Sequence, residues 1–451
     1  MKMDTKHVTD MTVGSPVHHI LIFALPLLFG NLFQQLYNMV DSIIVGNYVG
    51  ADAFAAVGSC GSISFLFFSL SSGLSVGIGV IVSQFFGAKE EDKVNATIAN
   101  SIYVLGVAAI LVSLVGIIFA PAILQLLRTP AEILGDAVIY MRTTCAGTIA
   151  IVAYNGVASI LRALGDSKTP LYFLIISSLI NVGLDLLFVL VFHMGVVGVA
   201  VATIIAQAVS AITCVIYAYK KVPYFRLTKE QMKPRRQLIY RTIRLGVPIA
   251  LQNSMIAVSC MALQGVVNSY GKTVMAAYTV TNRVEQIIQQ PFGSLSVALT
   301  TYAGQNYGSR NIERVKKGFR QATIMAFVFS MVMLPLFFFF SEQIVHIFVK
   351  EPEVIRIGAK ALQFTSVFYF ALGMIYVPRA VLNGCGDAMF AMLNGVTEVS
   401  CRIGFSQVFT RVPKLGWWSI WVTTIATWVI TSMVCSWRYL YVTKRMKNSV
   451  N

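Results

Sequence analysis

From Ile98 to Ala122 the chain runs twenty-five residues without a charge. That exceeds the roughly 20 residues with which an α-helix crosses a bilayer. Gln321 to Phe340 is equally bare, and Leu171 to Phe192 is broken only by Asp185. Charged residues make up 12% of the chain and hydrophobic ones 56%, about half the charge of a soluble domain. Twelve spanning helices are expected, near 17–46, 53–84, 95–120, 131–161, 169–192 and 196–220, then near 238–268, 274–304, 317–340, 353–381, 388–410 and 416–441.

A net charge of +16 raises the question of nucleic acid, which the placement of the charges answers. With the N-terminus inside, the alternate segments 84–94, 162–168, 220–244, 310–320 and the two tails carry about 24 Lys and Arg, against about six in the outside loops. That is the positive-inside pattern of a multi-pass inner (plasma) membrane protein with both termini cytoplasmic. No aromatics interleave with the basic residues, so no nucleic-acid partner is expected. The layout reads as a tail over 1–16, a first lobe over 17–220, a basic linker over 221–237, a second lobe over 238–441 and a tail over 442–451. Residues 1–14 and 444–451 read as solvated tails. The seven cysteines are scattered without a C-x-x-C pair, so no disulfide framework, resident metal or cofactor is expected.

The chain also repeats itself at a spacing of 221 residues. Leu74-Ser75-Val76 returns as Leu295-Ser296-Val297, and Gln84 to Gly87 as Gln305 to Gly308. Leu161 with Gly165-Asp166 returns as Leu382 with Gly386-Asp387, and Gly195 with Thr203 as Gly416 with Thr424. Six spans per repeat bring the chain back to its starting side. The expected fold is therefore an all-α integral membrane protein, two parallel six-helix bundles related by a pseudo-two-fold axis along the membrane normal. Transporters commonly bind substrate between such halves.

Polar residues inside the spans carry the chemistry. In the first span Asn31, Gln34, Gln35, Asn38, Asp41 and Ser42 fall within an arc of about 120° at helical spacing. Hydrogen bonding between helices would explain an amide such as Asn31 or Gln34. It explains Asp41 poorly, because a carboxylate in a span costs several kcal/mol unless paired, hydrated or protonated. In the fifth span Ser177, Asn181 and Asp185 recur every fourth residue on one face, adding a second acid that suits a proton or a sodium ion. The repeat maps Asp41 to about Ala262, Asn181 to Arg402 and Asp185 to Ser406, so the second half lacks this acid pair. It has Glu285 near Arg283, and Glu398 one turn before Arg402. Glu398 with Arg402 reads as a self-neutralising structural pair. Glu285 could offer charge to a cationic substrate or simply pair with Arg283. Pro26 and Pro248 lie inside helical patterns and can bend them. No P-loop or nucleophile with a base is present, and Gly73-Leu74-Ser75-Val76-Gly77 reads as close helix packing rather than a nucleophile elbow.

Several stretches together resemble the multidrug and toxic compound extrusion (MATE) family over essentially the whole length. They are Pro26 with Val40 to Gly46 (VDSIIVG), the QFFGA and QNYGS turns, LRALGDSKTP from Leu161 to Pro170, NVGLDLLF from Asn181 to Phe188, and TNRVEQ around Glu285. The resemblance implies a V-shaped pair of bundles that exports cationic or amphipathic small organic compounds in exchange for protons or sodium ions. It implies a coupling site at Asp41, Asn181, Asp185 and Thr203, with transient Na+ as an alternative to the favoured H+. Asn31, Gln34, Gln35, Asn38, Gln252 and Glu285 are candidates for the substrate cavity. The chain departs from the NorM branch, since Gln252 stands where a seventh-span Glu is expected and the tenth span has no acid within its apolar run. That points toward DinF-like or MepA-like members. A secondary transporter is expected rather than an enzyme, acting as a monomer in the lipid bilayer. The rivals are a flippase of lipid-linked saccharides, which should need a cavity rich in Arg and Lys, and a membrane-embedded enzyme, for which no catalytic cluster is visible.

Overall fold

The structure, a computed structural model, describes residues 8–127 and 129–448, and these residues form helices joined by short turns. In chain order they are α1 (Pro16–Ile44), α2 (Ala51–Gly87), α3 (Glu91–Leu126), α4 (Ala131–Ala146), α5 (Thr148–Ala163), α6 (Lys168–Leu186) and α7 (Gly195–Lys221). There follow α8 (Arg236–Asn268), α9 (Lys272–Gly308), α10 (Ile312–His346), α11 (Pro352–Ser366), α12 (Tyr369–Gly384), α13 (Ala388–Phe409) and α14 (Ser419–Asn448). Among the described residues, eight helices are long and apolar enough to cross a membrane on their own. Two broken pairs, α4 with α5 bent by 45° and α11 with α12 bent by 50°, are each long and apolar enough for one further span when taken together. The expected single spans at 131–161 and 353–381 are thus broken rods. α9 and α13 complete the twelve, and both carry charged or amide side chains along their length.

The tandem repeat is visible in backbone geometry. α2 and α9 start and end 221 residues apart, as their bounds show, and α5 and α12 do the same. The backbone turns left-handed at matching places: Gly50 and Gly271, Lys89 and Arg310, Gly165 and Gly386, Gly195 and Gly416. Gly165 needs its lack of a side chain twice over. Its φ of +91° disfavours L residues, and a Cβ there would meet the Thr9 carbonyl oxygen at 2.4 Å. The neighbouring Asp166 accepts the Lys168 and Thr169 backbone N–H groups at 3.1 and 3.0 Å, satisfying orphan donors at the start of α6. The QNYG turn has a comparable reason, since Gln305 Oε1 accepts the Met11 N–H at 2.9 Å.

Two compact units result. The first comprises the chain up to Asp10 with Leu25–Ala250, the second Met11–Ala24 with Leu251–Asn451. One boundary falls between Asp10 and Met11, ahead of α1. The other two fall inside α1 and α8, where Leu25 and Leu251 are one and three residues from Pro26 and Pro248. The 221–237 stretch packs onto the first unit: Tyr224 is buried, Tyr103 donates to the Met232 carbonyl and Asn100 accepts the Arg235 N–H. Residues 8–14, expected as solvated tail, are packed instead. Thr9 donates to the Leu164 carbonyl and Asp10 pairs with Lys89 in the first unit. In the second, Met11 is 1% exposed and Arg314 donates to the Met11, Val13 and Gly14 carbonyls. Residues 444–448, expected as tail, continue α14. The remaining tail positions, 1–7 and 449–451, lie outside the described residues.

Within the first unit the Gly73-Leu74-Ser75-Val76-Gly77 run brings two backbones into contact. A Cβ on Gly73 would meet the Ala250 nitrogen at 2.4 Å, and one on Gly77 the Gly246 nitrogen at 2.7 Å. Small residues four apart that let helices touch are a common membrane packing device. Gly77→Val should therefore lower the stability of the detergent-purified protein by about 2–3 kcal/mol, measured by thermal unfolding. Gly58→Ala, on the same helix with nothing within 4 Å of the new carbon, should melt like wild type.

Candidate functional site

In the first unit α1 and α6 each carry one carboxylate, and the fold sets the two against each other. Asp185 is 0% exposed with neither oxygen bonded, and Asp41 keeps one buried unbonded oxygen. The Asp41 and Asp185 carboxyls lie within hydrogen-bonding reach of each other. Asn181, one turn before Asp185, is buried with its amide nitrogen and oxygen both unbonded. Ser177, one turn earlier still, donates to the Ala206 carbonyl at 3.0 Å. Thr203 on α7 donates to the Val199 carbonyl at 3.0 Å, and the Tyr37 hydroxyl stands within reach of its side chain. Tyr140 on α4 faces the same two carboxylates.

Neither tyrosine is among the site residues expected from the sequence. Tyr37 is one turn before Asp41 on the polar stripe and could have been read from that spacing. Tyr140 belongs to a helix with no other polar signal pointing to the site.

Five buried polar atoms without partners in one cluster are unusual, because most buried polar side-chain atoms are hydrogen-bonded. Here the set is one Asp41 oxygen, both Asp185 oxygens and both Asn181 amide atoms. Oxygen donors on two acids and an amide suit a proton or a hard monovalent cation. Among the described residues, no three His, Cys, Asp or Glu side chains form a group that could hold a metal ion.

The two carboxylate helices also change winding at this depth. α1 passes into a π-helical turn at Val45–Val49, and α6 into another at Leu187–Val191. Ile44, Val45, Val189, Val196 and Val199 pack into one apolar cluster around these turns. π-helical turns recur at functional sites, where they re-aim side chains. Among the described residues, the second unit has none, although α8 and α13 occupy the repeated positions.

The remaining candidates are dispersed. On α1, Asn31 and Gln34 are half-buried, while Gln35, Asn38 and Ser42 are exposed. In the second unit Gln252 is 2% exposed with an unbonded amide nitrogen, and Glu285 is buried with one unbonded oxygen beside Thr365. Arg283 is exposed, two residues away on another face of the helix, and the cation facing Glu285 is Arg402. Arg402 Nη2 donates to Glu398 Oε1 at 3.3 Å, both residues buried.

An all-helical chain with tandem six-span halves and a buried, unsatisfied acid pair in one half belongs to the class of membrane transporters. Comparison with known proteins agrees. The MatE family profile matches residues 26–187 and 248–407, one block in each repeat. The probable multidrug resistance proteins YoeA and YpnP of Bacillus subtilis are 28% and 30% identical to this chain. The first alignment covers 94% of this chain and 93% of YoeA, the second 89% and 90% of YpnP. A solved MOP superfamily transporter from Pyrococcus furiosus superposes with a TM-score of 0.92 at 22% identity, over 99% of this chain and 100% of that one. The chain belongs to the MATE family of multidrug transporters and is not an enzyme.

The adjacency of the carboxylates can be measured without transport. In a double-mutant cycle on unfolding free energy, Asp41→Asn and Asp185→Asn should deviate from additivity by about 1 kcal/mol or more. Additivity within about 0.5 kcal/mol would mean that the two groups do not interact.

Proposed function

We propose that this chain is an ion-coupled antiporter that exports cationic or amphipathic small organic compounds, with Asp41, Asn181, Asp185 and Thr203 as the coupling site. The observation that carries this reading is the adjacent, unbonded carboxyl pair of Asp41 and Asp185. A proton or sodium ion arriving from outside removes the repulsion between them, and α1 and α6 respond through their π-helical turns. Loading favours expulsion of substrate, and release of the ion inward resets the site. Tyr37 and Tyr140 position the pair by their proximity to it. Pro26, where the i→i−4 ladder is interrupted, lets α1 bend as the site loads, and Pro248 gives α8 the same freedom. Asn31, Gln34, Gln35, Asn38, Gln252 and Glu285 are the proposed substrate contacts.

A positive charge moving inward gains about 2.3 kcal/mol per 100 mV. For a neutral substrate one ion per cycle can therefore sustain a gradient of tens-fold on about 100 mV. One-for-one exchange with a monovalent cation moves no net charge and is driven by the ion's concentration gradient. The proton is the favoured ion and sodium the alternative. The protein works as a monomer in the inner membrane with both termini cytoplasmic. A flippase of lipid-linked saccharides is disfavoured because the buried guanidinium of Arg402 is already committed to Glu398 and is not available to a phosphate.

The test is accumulation of a fluorescent cation in cells expressing wild type or Asp41→Asn at matched membrane abundance. Wild type should accumulate several-fold less dye than Asp41→Asn, and a protonophore should abolish the difference. If the protonophore does nothing and removal of external sodium abolishes it, the ion is sodium. Export by Asp41→Asn equal to wild type would refute the coupling site.

A further inference from the structure

The repeat register places Arg402 where the first unit has Asn181, and the local structure supports the register on the C-terminal side. Gly195 and Gly416 are both left-handed. Thr203 and Thr424 each donate to the carbonyl four residues earlier, at 3.0 and 3.1 Å. Cys214 and Cys435 are both buried at the repeated position. At the end of this register the chemistry inverts. Ser177, Asn181 and Asp185 on α6 become Glu398, Arg402 and Ser406 on α13.

The second unit thus has no acid pair at the positions of Asp41 and Asp185, yet it does bury two carboxylates. Glu398 is 7% exposed on α13, and Glu285 is 8% exposed on α9. Arg402, 6% exposed, faces both: it donates to Glu398 at 3.3 Å and lies close enough to Glu285 to interact electrostatically. The Nε of Arg402 and one Glu285 oxygen remain unbonded, so the guanidinium makes one hydrogen bond to Glu398 and no closed bidentate pair. The charge count is the same in both units when the first carries one bound cation: two carboxylates and one positive charge. The difference is that Arg402 is covalently attached.

We propose that the Arg402 guanidinium is a tethered cation, occupying in the second unit the place that the exchangeable ion takes in the first, so that only the first unit loads and unloads. This rests on the reading of Asp41 and Asp185 as the coupling site. A guanidinium stays charged at any physiological pH, so the second unit holds its charge balance throughout the cycle. Removing Arg402 would turn the Glu285 and Glu398 cluster into a site for a proton or a small monovalent cation.

The experiment uses the full-length purified protein in detergent and reads melting temperature, with no transport required. Sodium chloride is titrated against choline chloride, and pH is varied from about 5.5 to 8.5, the groups facing residue 402 being Glu398 on α13, Glu285 and Tyr278 on α9, and Cys260 on α8. The Asp41→Asn background fixes whatever the first unit contributes. Failure of the Asp41 reading would show in the ion response of Asp41→Asn itself, separately from the step to Asp41→Asn/Arg402→Asn. That step should lower the melting temperature in choline at high pH, with recovery of about 3 °C or more on adding sodium or acid. An unchanged ion response would overturn the proposal.

Should Asp41→Asn/Arg402→Asn not fold, the companion carrying Glu285→Gln and Glu398→Gln in addition decides. Folding of the companion, with no ion response beyond that of Asp41→Asn, supports the tethered cation. Its failure to fold would show that Arg402 serves packing alone and would overturn the proposal.

Discussion

Two acids held together in a membrane interior dominate this structure. Asp41 and Asp185 sit on different helices, each expensive to bury as an anion and more so beside the other. Among the described residues of the first unit neither has a basic partner, and the amide of Asn181 beside them is equally unsatisfied. A fold that keeps such a cluster must stabilise it elsewhere, and the surrounding helices show how. Small residues bring α2 and α8 backbones into contact at Gly73 and Gly77, and a valine-rich cluster locks the π-helical turns next to the acids.

The second unit solves the same electrostatic problem differently. Built on the same repeat, it pairs a guanidinium with Glu398, within electrostatic range of Glu285, and among the described residues runs regular α-helix where the first unit carries π-helical turns. On the proposed reading, an ion that comes and goes needs unsatisfied donors and yielding backbone, and a permanent internal cation needs neither. On that reading, the asymmetry between repeats whose left-handed turns match in register is functional divergence after duplication.

Much of this was legible in the sequence because the membrane restricts what a chain can do. Uncharged runs as long as Ile98 to Ala122 leave few alternatives to a spanning helix, and the 221-residue spacing, read from pairs such as Gly165-Asp166 and Gly386-Asp387, reappears as matching left-handed turns. Asp41, Asn181 and Asp185 were readable because polar atoms in an apolar span are conspicuous. Other features were not. The breaks at Gly147 and near Val367 carry no proline to mark them, and the close approach at Gly147, where a Cβ would meet Ile204 at 2.4 Å, is tertiary. Tyr140 is hidden because a tyrosine on a half-buried helix is compositionally ordinary. Met11 is buried by contacts some 294 residues away in sequence, which no local pattern encodes. Arg283 stood beside Glu285 in sequence, but two residues along a helix point to different faces, and the true neighbour, Arg402, is supplied by tertiary structure.

The central claim is that the acid pair converts an ion gradient into substrate movement. Its most direct measurement is uptake of a fluorescent organic cation into proteoliposomes under an imposed proton or sodium gradient, comparing wild type with Asp185→Asn. Wild type should concentrate the dye against its own gradient, and Asp185→Asn should only equilibrate it. Uphill accumulation by Asp185→Asn at the wild-type level would contradict the claim.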